Sequence, residues 1–111
     1  MTFDPSALSP GIRNAVVWLR ERGWVTTDSG DGSNFDAGME GALPFPHIAV
    51  QSHEDTLLND GRHLLKLLTY AGAPASVTVE CSFNPADRSA VILVSEAERG
   101  GWLSLIAARV D

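Results

Sequence analysis

The chain predicts an α+β fold, with two helices packed on one face of a small, mostly antiparallel β-sheet, and three observations carry that expectation. Apolar residues recur at helical spacing in segments 10–22 and 57–68, so each segment must bury one stripe. Residues 47–51 and 77–83 alternate apolar with polar, the period of a strand that has one covered face. Between these patterns lies Trp24 to His47, WVTTDSGDGSNFDAGMEGALPFPH, where acids, glycines and turn formers replace any periodicity.

Ser9-Pro10 reads as a helix start, Ser9 capping the free amides and Pro10 already set for the first turn. Ile12, Val16 and Leu19 share one face, with Ala15, Trp18 and Arg22 beside it, and Gly23 is the expected left-handed stop. The first helix is therefore placed at about Pro10 to Arg22. Trp24 to Thr27 favours a strand, which the run Asp28-Ser29-Gly30-Asp31-Gly32 must end. An acidic, Gly-rich loop is expected at about 28–43.

Pro44-Phe45-Pro46 enforces an extended approach to a strand in which Ile48 and Val50 face one side and His47, Ala49 and Gln51 the other. Ser52-His53-Glu54-Asp55 has capping-box spacing, with Ser52 as cap. The helix that follows carries Leu57, Leu58, Leu64, Leu65, Leu67 and Leu68, has a weakness at Gly61, and closes at Gly72 and Pro74.

Val77, Val79, Cys81 and Phe83 then form the buried side of a strand whose wet side is Ser76, Thr78, Glu80 and Ser82. Asn84-Pro85-Ala86-Asp87 is the turn to Ala90–Val94, apolar on both sides and so a central strand. In the tail, Trp102 to Ile106 suits a strand and Leu105 to Arg109 a short helix; the strand is preferred.

A chain of 111 residues is the size of one domain, spanning 1–111, and can bury a core. Its net charge of −6 opposes long-range attraction to phosphate backbones and anionic membranes, which disfavours direct nucleic-acid binding. Cys81 is alone, so the chain has no internal disulfide to form and a reducing cytoplasm is the expected compartment. MTFDPSALSP lacks a basic start and a long apolar run, so neither a signal peptide nor a membrane span is expected. Only Lys66 among the bases is a lysine, a bias that genome composition explains as readily as guanidinium chemistry.

No Lys or Arg occurs from Gly23 to Gly61, whereas Asp28, Asp31, Asp36, Glu40, Glu54, Asp55 and Asp60 accumulate there. A loop this long in a small domain is usually functional or disordered. The candidate binding residues are Trp24, Asp28, Asp31, Asp36, Glu40 and His47.

A hard cation would suit the carboxylates if the loop folded back, but Gly30 and Gly32 stand where an EF-hand needs Asp or Asn. His47, His53, His63 and Cys81 lack zinc-site spacing. The glycines could aim amides at a phosphate, yet the flanking aspartates oppose an anion and no P-loop Lys or GxGxxG follows. A nucleotide could stack on Trp18 or Trp24 beside Arg13, Arg20 or Arg22, against the competing reading that both tryptophans are core. Ser29 or Ser33 with a loop His or Asp makes no defined catalytic set, and Cys81 reads as a buried small hydrophobe. No resident metal or cofactor is expected.

GWVTTDSGDG, GMEGALPFPHIAV, the leucine helix and SFNPADRSAVILV together resemble small uncharacterised proteins encoded by tailed phages and prophages. That resemblance implies a phage context and an accessory role in the host cytoplasm, and it implies no chemistry. The resulting expectation is a non-catalytic binding protein that uses the acidic loop between Asp28 and Glu40 to inhibit a host (defence) protein or sequester a small nucleotide signal. The runner-up is a metal-dependent hydrolase or nucleotide-processing enzyme using Asp28, Asp31, Glu40 and His47. A homodimer is expected to form through an exposed sheet edge or through apolar area left around Trp102 and Ile106.

Overall fold

Eight elements follow one another in the computed structural model, which describes Leu8 and residues 10–109: α1 (Pro10–Glu21), β1 (Thr26–Gly30), α2 (Ser33–Asp36), β2 (His47–Ser52), α3 (Leu57–Tyr70), β3 (Val77–Asn84), β4 (Ser89–Glu96) and α4 (Trp102–Arg109). The strands form one four-stranded sheet in the order β1-β2-β4-β3, antiparallel at every pairing. The fold is α+β. Among the described residues, no helix is long and apolar enough to cross a membrane.

The long helices end as their glycines require. Gly23 has φ 89°, the Gly23 amide donates to Arg20 O and the Trp24 amide to Leu19 O. Gly72 has φ 97°, its amide donates to Thr69 O and the Ala73 amide to Leu68 O. Both are left-handed glycine stops that satisfy the last carbonyls of a helix. The Ser9 cap lies outside the described residues.

Strand alternation sorts the core. Register places Ile48 opposite Val94, Val50 opposite Ile92, and Val79 opposite Val94, so these side chains share one side of the sheet. Ile48, Val50, Ile92 and Val94 join Ile12, Val16 and Leu19 of α1, Leu64 and Leu68 of α3, and Leu103 and Ile106 of α4 in one buried cluster, against which half-buried Val79 packs. Each buried aliphatic side chain contributes about 1.5–3 kcal/mol.

Several expectations are corrected here. The tail is helix α4, not a strand, because Glu96 and the chain turn at Gly100-Gly101 start a helix there. The Glu96 carboxylate, 4% exposed, accepts the Trp102 and Leu103 amides at 3.0 Å each, satisfying first-turn donors that a helix cannot satisfy itself. A Cβ added at Gly101 would stand 2.6 Å from Glu96 Oε2, so only glycine lets the carboxylate approach. Trp102 and Ile106 are consequently buried, at 5% and 0% exposure, while Leu105 between them is about half exposed. Trp102 packs edge-on to Trp18, centroids 6.5 Å apart, which docks α4 on α1.

The first strand starts at Thr26 and runs to Gly30, later than Trp24–Thr27, because pairing with β2 overrides the weak strand propensity of Asp28-Ser29-Gly30. The expected loop at 28–43 therefore begins with strand and holds the short helix α2. Helix α3 starts at Leu57 with Thr56 at its N-cap position, not at Ser52. The Ser52 and Thr56 hydroxyls both donate to Asp60, which draws the acid expected to serve as a surface charge into a local network. Gly61 is no weakness: a Cβ there would meet Cys81 Sγ at 2.5 Å, so the glycine permits α3 to lie close on β3. Cys81 and Phe83 are exposed, contrary to the buried reading, because β3 is an edge strand whose far half extends past the core cluster.

Glu96→Gln should destabilise the protein by about 1–3 kcal/mol, since the amide side chain sets a donor against α4's own amides. Thermal unfolding checks this, and an unchanged midpoint would show that the capping contact is unimportant.

Candidate functional site

The expected acidic surface divides into two populations with different jobs. Asp31 accepts the Gly11 amide at 3.1 Å and the Ser33 amide at 2.9 Å, tying the end of β1 to the first turn of α1 and to the start of α2. Its carboxyl sits below the usual value: burial pushes it up, but the hydrogen bonds from the Ser33 hydroxyl, the Ser33 amide and the Gly11 amide outweigh that. Asp36 pairs with Arg99, whose hydrogen bond is the main cause holding the aspartate low and raising the guanidinium.

Arg99 was the residue sequence reasoning missed. From the β4–α4 turn its Nη2 donates to Gly32 O at 2.9 Å and to Pro44 O at 3.0 Å, so one side chain clasps both ends of the acidic segment. Gly32 stands at φ 97°, and a Cβ there would lie 2.5 Å from Arg99 Nε and 2.7 Å from Pro44 O. The local cation gap from Gly23 to Gly61 is closed in space by a residue outside it. Its only sequence signal was an arginine beside the turn-forming Gly100-Gly101.

Asp28, Glu40 and His47 are brought together. They line a pocket of about 280 Å³ with Ser29, Gly30, Gly32 and the segment Met39–Leu43. β1 supplies Asp28, and the adjacent start of β2 supplies His47, directly opposite Gly30. The imidazole lies where a side chain on Gly30 would be, since a Cβ there would approach His47 Cε1 to 2.9 Å. His47 is 7% exposed. Its Nδ1 donates to Phe45 O at 3.2 Å, because a carbonyl can only accept. That leaves Nε2 directed to Asp28 Oδ2, 3.6 Å away. Asp28 and Glu40 are exposed, and among the described residues no Lys or Arg lines the pocket.

Trp24 is not part of this pocket; it is half-buried and packs against the core cluster. Trp18 is core, as the competing reading had it, and Arg22 stacks 4.2 Å over its ring. Among the described residues no three His, Cys, Asp or Glu side chains are grouped to hold a metal ion. Of the expected quartet Asp28, Asp31, Glu40 and His47, Asp31 is spent on the Gly11 and Ser33 amides and does not line the pocket with the other three.

The chain matches no family model, no curated protein and no solved structure.

The depressed Asp31 and Asp36 carboxyls make stability depend on pH with a defined sign. Their folded values lie below the ordinary 3.8, so the contribution is present above that value and is lost as pH falls through the depressed folded values. Asp31→Asn should lower stability at neutral pH and flatten the acid limb of the unfolding profile. Urea unfolding at neutral pH and in acid checks this; a variant that kept the wild-type slope would refute it.

Proposed function

We propose that this chain is a non-catalytic accessory binding protein that receives a basic side chain of a protein partner in the pocket between Asp28 and Glu40. The phage context implied by the resemblance makes that partner a host protein met in the host cytoplasm. The supporting observation is the pairing of two exposed carboxylates with apolar Met39, Ala42 and Leu43 around a fixed imidazole. Acids at one end and apolar wall beside them match a Lys or Arg side chain, whose aliphatic stem packs while its charged head is paired.

Charge favours a side chain over a phosphate-bearing ligand, and the pocket, at about 280 Å³, has room for such a side chain. A nucleotide signal would bring phosphate to a wall carrying Asp28 and Glu40, while the nearby Arg99 is engaged by Asp36 and two carbonyls. In this reading α1 and α3 lie on the same side of the sheet, that of Ile48, Val50, Ile92 and Val94. Asp28, Ala49 and Leu93, which register aligns, then face the other side.

Titrating the isotope-labelled protein with an arginine-rich peptide and, separately, with a nucleotide tests this reading. The amides of residues 28–30, 39–43 and 47 should shift with the peptide, the shift should weaken with salt, and the Asp28→Asn/Glu40→Gln double variant should lose it. The same amides responding to the nucleotide alone would transfer the reading to signal sequestration. Silence towards both would overturn the pocket as a binding site.

A further inference from the structure

The outer edge of β3 is built differently from the outer edge of β1. β1 spans five residues, carries a register shift between Thr26 and Asp28, and ends in the Asp31 network. Bulges and charges of that kind blunt an edge against further pairing. β3 spans eight residues, VTVECSFN, pairs with β4 without a register shift, and contains no proline and one charge, Glu80. Among the described residues no strand pairs with its outer side.

Helix α3 lies beside that edge with its exposed leucines on the same flank. Asp60 accepts from Ser52 at the end of β2, so that flank of α3 faces across the sheet. Leu58 and Leu65 project from the opposite flank at helical spacing, 70% and 50% exposed. Leu58 borders a groove with Phe83 at the far end of β3, and Leu65 borders one with Val77 at its start. They therefore follow the β3 edge along its length.

We propose that a second copy of this chain pairs with β3 about a two-fold axis at Cys81, joining two sheets into one of eight strands. The inference is independent of the pocket reading. Opposed residues of an antiparallel pair point to the same side, so a two-fold normal to the sheet must set one residue against its own copy. Placing the axis at Glu80 or at Cys81 pairs most of the strand, and the Glu80 position sets two carboxylates face to face, which destabilises a pair. With the axis at Cys81, residues 78–84 pair, Glu80 meets Ser82, and Val79 meets Phe83 on both sides of the axis.

The helix is consistent with the same axis through its contact with the strand. Leu58 and Leu65 have their midpoint at Gly61 and Arg62, and Gly61 is where Cys81 Sγ rests against α3. A two-fold at Cys81 therefore sets Leu58 of one copy against Leu65 of the other, twice. The two apolar sets, on strand and on helix, become self-complementary in one operation, which is the requirement of a closed dimer.

Light scattering over a range of concentrations, with cross-linking by a short bis-maleimide, tests the arrangement. Cys81 is the chain's one cysteine, so any thiol-linked dimer reports its distance from its own copy. Opposed residues in an antiparallel pair have Cα atoms about 4.5–5.5 Å apart, well within reach of such a reagent. The expected result is a dimer mass, a covalent dimer that Cys81→Ser abolishes, and a monomer for the Leu58→Glu/Leu65→Glu variant that keeps its circular dichroism and cooperative unfolding, with a midpoint that no longer depends on concentration. Asp28→Asn/Glu40→Gln should leave the dimer intact, so failure here and failure of the pocket reading are separable. A wild-type monomer at every concentration overturns the proposal, as does a dimer that survives the double leucine substitution.

Discussion

The first amides of α4 have no carbonyl partner within their own helix, and the carboxylate of Glu96 takes two of them at once. Much of the structure hangs on that contact. It bends the chain sharply after β4, which brings Trp102 against Trp18 and closes α4 over α1. The residues of the bend include Arg99, so the same geometry aims a guanidinium at Gly32, Pro44 and Asp36. A buried carboxylate would be costly alone; here its charge meets a helix N-terminus, where both hydrogen bonds and the macrodipole favour an anion.

From that anchor the acidic segment acquires its shape. Arg99 joins the two ends of residues 32–44 and neutralises Asp36, while Asp31 spends its oxygens on α1 and α2. What remains outward is a smaller and more defined set than the sequence suggests: Asp28 and Glu40 around His47, with Met39 and Leu43 beside them. Negative charge that crowds one stretch of the sequence is sorted by hydrogen bonding into scaffold and surface. The scaffold carboxylates cannot be removed without disturbing the frame that presents the surface ones.

Legibility in the sequence followed the range over which each feature is determined. The stops at Gly23 and Gly72 and the β3–β4 hairpin were readable because they are set by neighbouring residues: Asn84 Oδ1 accepts the Ala86 amide and Asp87 Oδ1 the Ser89 amide within the turn itself. β1 was displaced because its partner, the His47–Val50 segment, decides where Thr26–Gly30 can pair. α4 was read as a strand because its cap is a glutamate from the preceding strand, not a local Ser, Thr, Asp or Asn. In the site, Asp28, Glu40 and His47 were legible by residue type and crowding. Arg99 was not, since its contact with Asp36 spans 63 residues of chain.

The order β1-β2-β4-β3 also bears on how the chain assembles as it is made. β1–β2 and β3–β4 are each joined by contacts between strands adjacent in the chain, but the sheet becomes one only when β4 inserts beside β2. During synthesis, residues 47–52 therefore carry an open edge until residues 89–96 follow, and the carboxylate that starts α4 is the last residue of that inserted strand. Closure of the sheet and the capping of α4 therefore both depend on residues 89–96, which must reach back along the chain to pair with residues 47–52.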